Sequence, residues 1–285
     1  MALPCTVKAG QLTIRGLAIG GIETCYQIQP LGVMFDIGHC PRSLAVTPNL
    51  FITHGHADHA GGLLSILSLR LVYGVKEPLK IFAPAWMVSA LQAMVAALES
   101  LQDQPYRAEW TAVEAGQTFS IGHNRSVLAF RSPHVIPTMG YTIIETAHRL
   151  KAEFLGRPGE ELANLKKQGV EIQDSFDRPL LSFPGDTTIG VLDKQPHLLE
   201  TRVLLLESTY LDDRKTVRQC TEHGHVHLDQ ILERAGDFRN EHLVLTHFSQ
   251  AYRPDEAKAI VKRRTAGLFR PEVQAFVPEG NSWPG

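Results

Sequence analysis

Thr53-His54-Gly55-His56-Ala57-Asp58-His59 places three imidazoles and a carboxylate within six residues. Thirteen histidines scattered at random through 285 residues do not produce such a cluster, so something in the fold has to hold it. The apolar run Asn49-Leu50-Phe51-Ile52-Thr53 before it suits a buried strand, and Ala60 to Arg70 after it carries Leu and Ile at helical spacing. The cluster therefore sits at a strand-to-helix junction. In extended backbone, residues i and i+2 point the same way, so His54 and His56 can grip one ion while Asp58 and His59, past the bend, reach a second. Gly55 and Ala57 leave room for both. This is not the helix of a zincin, whose two histidines lie four apart with a Glu after the first. A pH-sensitive surface patch or a capped turn is the competing reading; the density of the motif argues for half of a two-metal site.

A chain of 285 residues, 44% hydrophobic and 20% charged, buries a sizeable core and fits one large α/β domain spanning residues 1 to 285. No uninterrupted apolar stretch is long enough to span a membrane, and Met1 to Gly10 lacks the basic start and apolar centre of a signal peptide. A cytosolic, non-membrane protein is expected. Cys5, Cys25, Cys40 and Cys220 are scattered without a CxxC pair, which predicts buried reduced thiols instead of a disulfide frame or a zinc knot. A formal charge of -2 excludes global attraction to nucleic acid, so an RNA partner would have to be held by local basic patches.

Short β-prone runs at 11–19, 26–29 and 33–37, broken by Gly20-Gly21 and Pro30-Leu31-Gly32, predict a β-rich opening half. Ala85 to Leu101 reads as a long helix whose Met87, Ala90, Leu91, Met94 and Leu98 face a core. Strand-like runs recur at 127–131, 141–145, 180–183 and 203–206, and later helices are expected at 228–235 and 255–263. Residues 147–179 differ: they are charged, poor in strand signals, and hold a helix from about Gly159 to Gln168 stopped by Gly169. They read as an inserted arm.

A two-metal site needs further ligands, and three apolar segments each end in a candidate. His134 follows Val127 to Arg131 in Ser132-Pro133-His134-Val135-Ile136-Pro137. Asp186 follows Leu180 to Phe183 in Pro184-Gly185-Asp186-Thr187, and His247 follows Leu243 to Thr246 in Leu245-Thr246-His247-Phe248-Ser249. Taken singly, each is as readily a satisfied polar group, a turn or a helix cap.

Together the order HxHxDH, PHxxP…GY, PGDT and THFS resembles the metallo-β-lactamase-fold hydrolases, and within them the tRNase Z family, endonucleases that trim precursor-tRNA 3′ ends. Leu17 to Cys25, Phe35 to Pro41, Glu207 to Asp213 and Gly224 to His227 are similar to its plant-type short form. The resemblance implies a four-layer αββα sandwich. It implies His54, His56 and His134 on one zinc, Asp58, His59 and His247 on the other, and Asp186 bridging. Two such cations can share a hydroxide formed near neutral pH and offset charge on a phosphoryl oxygen, which suits attack of that hydroxide on phosphorus, with Asp58 orienting or deprotonating it, to leave a 3′-hydroxyl on the tRNA and a 5′-phosphate on the trailer. Imidazole and carboxylate donors without thiolate suit two Zn2+ ions, with Mn2+ or Fe2+ as alternatives. Glu207 and His225 resemble the family pair in which Glu orients a His beside the leaving oxygen, which needs a proton; a structural ion pair is the other reading. His227 stands where many members have Thr and is expected beside the site, and Asp36 is expected behind a ligating imidazole.

RNA contacts are less distinct. The family's arm grips the tRNA elbow, and here Arg149, Lys151, Arg157, Lys166 and Lys167 are candidates for phosphate contacts, diluted by Glu153, Glu160 and Glu161. Lys258, Lys262, Arg263 and Arg264 read equally as a solvated helix face. The family pattern HFSxRY becomes His247-Phe248-Ser249-Gln250-Ala251-Tyr252, without its arginine, for which Arg253 is a candidate substitute. The resemblance implies a homodimer acting on precursor tRNA. A hydrolase of a small phosphodiester or (thio)ester with the same ligands is the alternative.

Overall fold

A computed structural model describes residues 5–283. The first four residues of the Met1 to Gly10 stretch, and the last two of the chain, lie outside the described residues. Two seven-stranded sheets form the frame. In the first, β1 (Cys5–Ala9), β2 (Leu12–Ile19), β3 (Glu23–Gln29) and β4 (Val33–Phe35) run antiparallel. Then β5 (Asn49–Phe51), β6 (Leu79–Pro84) and β7 (Ala108–Val113) add in parallel. The second sheet repeats the plan: β8 (Thr118–Gly122), β9 (Arg125–Ser132), β10 (Thr138–Leu150) and β11 (Gln173–Phe183) are antiparallel, and β12 (Val203–Glu207), β13 (His242–Thr246) and β14 (Glu272–Ala275) parallel.

Connections follow from this change of direction. Antiparallel neighbours need only tight turns, whereas parallel neighbours need crossovers, and the crossovers carry most of the helices. α1 (Ala57–Ala60) and α2 (Leu63–Val72) join β5 to β6, and α3 (Ala85–Gln102) joins β6 to β7. α4 (Gly159–Lys167) lies between β10 and β11, and α5 (Val191–Lys194) between β11 and β12. α6 (Val217–Glu222) and α7 (Leu228–Glu233) precede β13, and α8 (Pro254–Thr265) precedes β14.

Strand β12 shows how the layers stack. Val203 and Leu205 join the cluster between the sheets, with Tyr26, Phe35, Phe51 and Phe183; Leu204 and Leu206 join a second cluster under the helices, with Ile231, Phe238 and Ile260. A parallel strand covered on both faces reads as a continuous apolar run, as this one does. Each fully buried Leu contributes about 1.5–3 kcal/mol. Between the sheets, the Tyr26 ring sits 5.0 Å from Phe183 and its hydroxyl is 2.7 Å from Thr246 Oγ1. Tyr141 donates to the Ile52 carbonyl at 2.7 Å. Both polar ties lie one or two residues below His247 and His54.

The arm corrects one expectation. Residues 147–179 were expected to be poor in strand, yet β10 and β11 stay paired from Tyr141↔Phe183 out to Leu150↔Gln173. An apolar alternation would have to run along the outer half of β11, but Gln173, Asp174, Ser175, Phe176 and Asp177 are all exposed. Backbone pairing, not burial, holds this ribbon, so no hydrophobic pattern announces it. The arm helix α4 ends at Lys167, with Gly169 beyond it at φ +81° as a helix stop requires.

Candidate metal centre

After β5 the chain stays extended to His56 (φ -65°, ψ 147°) and then enters α1. His54 and His56 thus leave an extended segment, while Asp58 and His59 come from the short helix. The segment is pressed against Asp36-Ile37-Gly38: Ile37 N–H donates to the His59 carbonyl at 2.7 Å, and a Cβ on Gly38 would lie 1.8 Å from the Asp58 carbonyl oxygen. Space is short at Gly38, whereas Gly55 would meet Met87 only at an ordinary 3.6 Å. The other side chains arrive at the carboxyl ends of strands: His134 beyond β9, Asp186 beyond β11, Glu207 as the last residue of β12, and His247 just beyond β13.

Two groups of candidate donors form around Asp186. His54, His56, His134 and Asp186 offer ligand atoms that all lie within 4.8 Å of one another, and so do Asp58, His59, Asp186 and His247. Asp186 Oδ2 is 3.9 Å from His54 Nε2, whereas Oδ1 is 3.2 Å from His59 Nε2 and 3.4 Å from His247 Nε2. One carboxylate thus faces both groups, each with a different oxygen. Asp58 Oδ2 lies 3.4 Å from His59 Nε2 and 3.6 Å from His247 Nε2 and accepts the Gly21 N–H at 3.1 Å.

The imidazoles are held from behind. His59 Nδ1 is 2.8 Å from Asp36 Oδ2, both side chains fully buried. His54 Nδ1 reaches Thr53 Oγ1 at 2.9 Å, and that hydroxyl donates to Asp36. His134 Nδ1 donates to the Gly224 carbonyl at 2.9 Å, and His247 Nδ1 is 3.2 Å from Thr209 Oγ1, which donates to Glu207 Oε2. Such partners turn Nε2 inward and fix the tautomer.

The residues fit a pair of cations. The Nε2 atoms of His59, His134 and His247 are buried without a hydrogen-bond partner, and a buried polar atom left so costs about 1–3 kcal/mol. Burial and neighbouring His59 push His54 down to about 2, which keeps it neutral and able to ligate. Burial opposes ionisation of Asp186, but the flanking His247 and His59 outweigh it and hold this carboxyl well below the usual range. Burial likewise raises Asp58, and the neighbouring His247 and His59 imidazoles more than reverse it.

Glu207, His225 and His247 also cluster, yet Glu207 is already saturated. Its oxygens receive Thr187 N–H (2.7 Å), Val226 N–H (3.1 Å), Thr209 Oγ1 (2.7 Å) and His225 Nδ1 (3.0 Å). Burial lowers the His225 imidazole, but the Glu207 charge and hydrogen bond, with help from Asp186, raise it to about 9. With Nδ1 committed to Glu207, Nε2 is the nitrogen left for a ligand.

Other expected residues fall elsewhere. His227 caps α7: its Nδ1 accepts the Asp229 N–H at 3.1 Å and its Nε2 lies 3.1 Å from the Asp212 carbonyl. Arg253 is exposed and pairs with Asp255 at the start of α8, while Arg214 lies beside Ala251, 3.4 Å from its carbonyl and over the Tyr252 ring. On the arm, Arg149, Lys166 and Lys167 are exposed, Lys151 faces Glu171 at 3.9 Å, and Arg157 pairs with Glu161. Thr209 and Gly224, the backing partners of His247 and His134, were not anticipated. All four cysteines are free and buried.

Residues 39–248 match the β-lactamase superfamily domain. tRNase Z TRZ1 of Arabidopsis thaliana is 37% identical over 250 residues, 87% of this chain and 89% of that protein. The chain belongs to the tRNase Z family. A second Arabidopsis thaliana member, the chloroplastic tRNase Z TRZ2, is 34% identical over 90% of this chain and 72% of its own length. The crystal structure of human tRNase Z, short form, shares the fold at a TM-score of 0.54 and 20% identity, covering 98% of this chain and 92% of that one. YhfI from Bacillus subtilis, a metallo-β-lactamase fold protein, shares it at a TM-score of 0.58 and 15% identity over 92% of this chain and 93% of its own. The fold is the metallo-β-lactamase sandwich, α/β with two mixed sheets.

Proposed function

We propose that this tRNase Z family chain is a zinc-dependent endoribonuclease that removes the 3′ trailer of precursor tRNA. Glu207 and His225 carry the reading, because they place a positioned proton donor beside the donor cluster without being needed to hold a cation. His54, His56 and His134 would hold one zinc ion, Asp58, His59 and His247 the other, and Asp186 both. When bound, such a pair makes water nucleophilic near neutral pH and offsets the charge that builds on a phosphoryl oxygen.

The side chains divide the remaining work. Asp58, kept ionised by its imidazole neighbours, accepts a proton from the attacking water. As the water oxygen bonds to phosphorus, the bond from phosphorus to the tRNA 3′-oxygen breaks. His225 Nε2 gives its proton to that oxygen, leaving a 3′-hydroxyl on the tRNA and a 5′-phosphate on the trailer. Glu207 keeps the imidazole oriented and compensates its positive charge.

Arg149, Lys151, Lys166 and Lys167 on the arm are the proposed contacts to tRNA phosphates, and a homodimer, as the family resemblance implies, would offer that arm to a partner's site. Among the described residues no helix is long and apolar enough to cross a membrane; a cytoplasmic location is part of the proposal. The test is incubation of zinc-loaded protein with a 3′-extended precursor tRNA and, separately, a bis-aryl phosphodiester. The expected cut lies at the tRNA–trailer junction and leaves a 3′-hydroxyl. Hydrolysis of the small ester alone would replace this reading with that of a small-molecule phosphodiesterase.

A further inference from the structure

Trp86, the second residue of α3, is 40% exposed. One face of its indole is covered by the Arg131 guanidinium, whose central carbon lies 4.3 Å from the ring centroid. Both residues belong to segments that frame the cluster. Met87, the next residue in α3, lies 3.6 Å from where a Cβ on Gly55, between His54 and His56, would stand; Arg131 stands three positions before His134. Gly55, Ala57 and Val135 are exposed here, so this is an open side of the centre.

Arg131 differs from its neighbours in the same sheet. Arg125 and Arg178 are paired with Glu145, whereas Arg131 is exposed, rests on an aromatic ring and has no carboxylate partner among the described residues. A guanidinium stacked on indole keeps its edge free for a phosphate, and it holds the ring flat. Unpaired bases are recognised by stacking on such faces, since every base has one.

We propose that Trp86 and Arg131 form a stacking platform for an unpaired nucleobase next to the scissile phosphate, with Trp86 taking the base and Arg131 the adjoining phosphate. This rests on the RNA-cleaving reading above. The base, the indole and the guanidinium would form a three-layer stack at the lip of the site, which positions the single strand and extends recognition beyond the phosphodiester.

The test is a KM series on a 3′-extended precursor tRNA with Trp86→Ala, Trp86→Phe and Arg131→Ala, using substrates made abasic at either nucleotide flanking the cut. Trp86→Ala is expected to raise KM roughly 5- to 100-fold, the range of one lost base stack, with Trp86→Phe restoring most of it. One of the two abasic substitutions should raise KM in the wild type and have no further effect in Trp86→Ala. Arg131→Ala should raise KM and flatten its salt dependence by about one phosphate contact. A Trp86→Ala enzyme with the KM of the wild type, a loss that Phe does not restore, or abasic effects that persist unchanged in Trp86→Ala would overturn the platform alone. A wild type that leaves the precursor uncut would overturn the RNA reading and the platform with it.

Discussion

Thr209 stands to His247 as Thr53 stands to His54. In each pair the imidazole Nδ1 meets a threonine hydroxyl, at 3.2 Å and 2.9 Å, and the hydroxyl donates a hydrogen bond to a buried carboxylate, Glu207 in one half of the molecule and Asp36 in the other. The two halves of the centre are therefore braced by the same short relay. Thr209→Val keeps the shape and removes the hydroxyl. It should weaken cation binding about 10- to 100-fold, the usual cost of losing a partner behind a ligating imidazole, and Thr209→Ser should recover it. Titration of zinc into metal-stripped protein reads the effect directly. Equal affinity in wild type and Thr209→Val would show that the relay plays no part in holding His247.

Glu207 and His225 should behave unlike the cation-holding residues. His225→Ala is expected to retain its zinc while turnover falls about 10²- to 10⁴-fold, the range for a lost general acid. Glu207→Gln should fall as far and also lose stability, because an amide nitrogen would face some of the four donors that now converge on the carboxylate. Elemental analysis beside single-turnover rates separates the outcomes: zinc lost from His225→Ala would make it a ligand instead.

Gly224 offers an asymmetric test. Its φ is +80°, and a Cβ there would lie 2.6 Å from His134 Nδ1, the atom its own carbonyl now receives. Gly224→Ala must move His134 or the loop, so it should release one zinc equivalent and keep the second, which Asp58, His59 and His247 would hold. Loss of both ions together, or of neither, would contradict that division.

His227 is a cap, and its removal should show as a loss of stability. Its ring accepts the Asp229 N–H at the start of α7. His227→Ala should cost about 0.5–2 kcal/mol, and His227→Asn much less, with both variants retaining their zinc. Thermal unfolding measured beside zinc content decides between a cap and a part of the centre.

How legible this was in the sequence depended on where each signal lay. His54 to His59 are contiguous, so their density was visible without a fold. His134, Asp186 and His247 carry weak local signals, and only the order of the four motifs joined them. Their supports were harder to see, since Gly224 acts through a backbone carbonyl and Thr209 through one hydroxyl, neither of which marks a sequence. The apolar strand β12 was plain because both of its faces are buried. The outer ends of β10 and β11 were not, since their residues face solvent and the ladder between them is made of main chain. His227 misled for a related reason: at a helix start, an imidazole and a threonine can both accept the same N–H.

The most direct measurement of the central claim is anomalous diffraction at the zinc edge from crystals of the zinc-loaded protein. Two peaks are expected, one among His54, His56 and His134 and the other among Asp58, His59 and His247, with Asp186 between them. A single peak, no peak, or density held by other side chains would contradict a two-cation centre at this place in the fold.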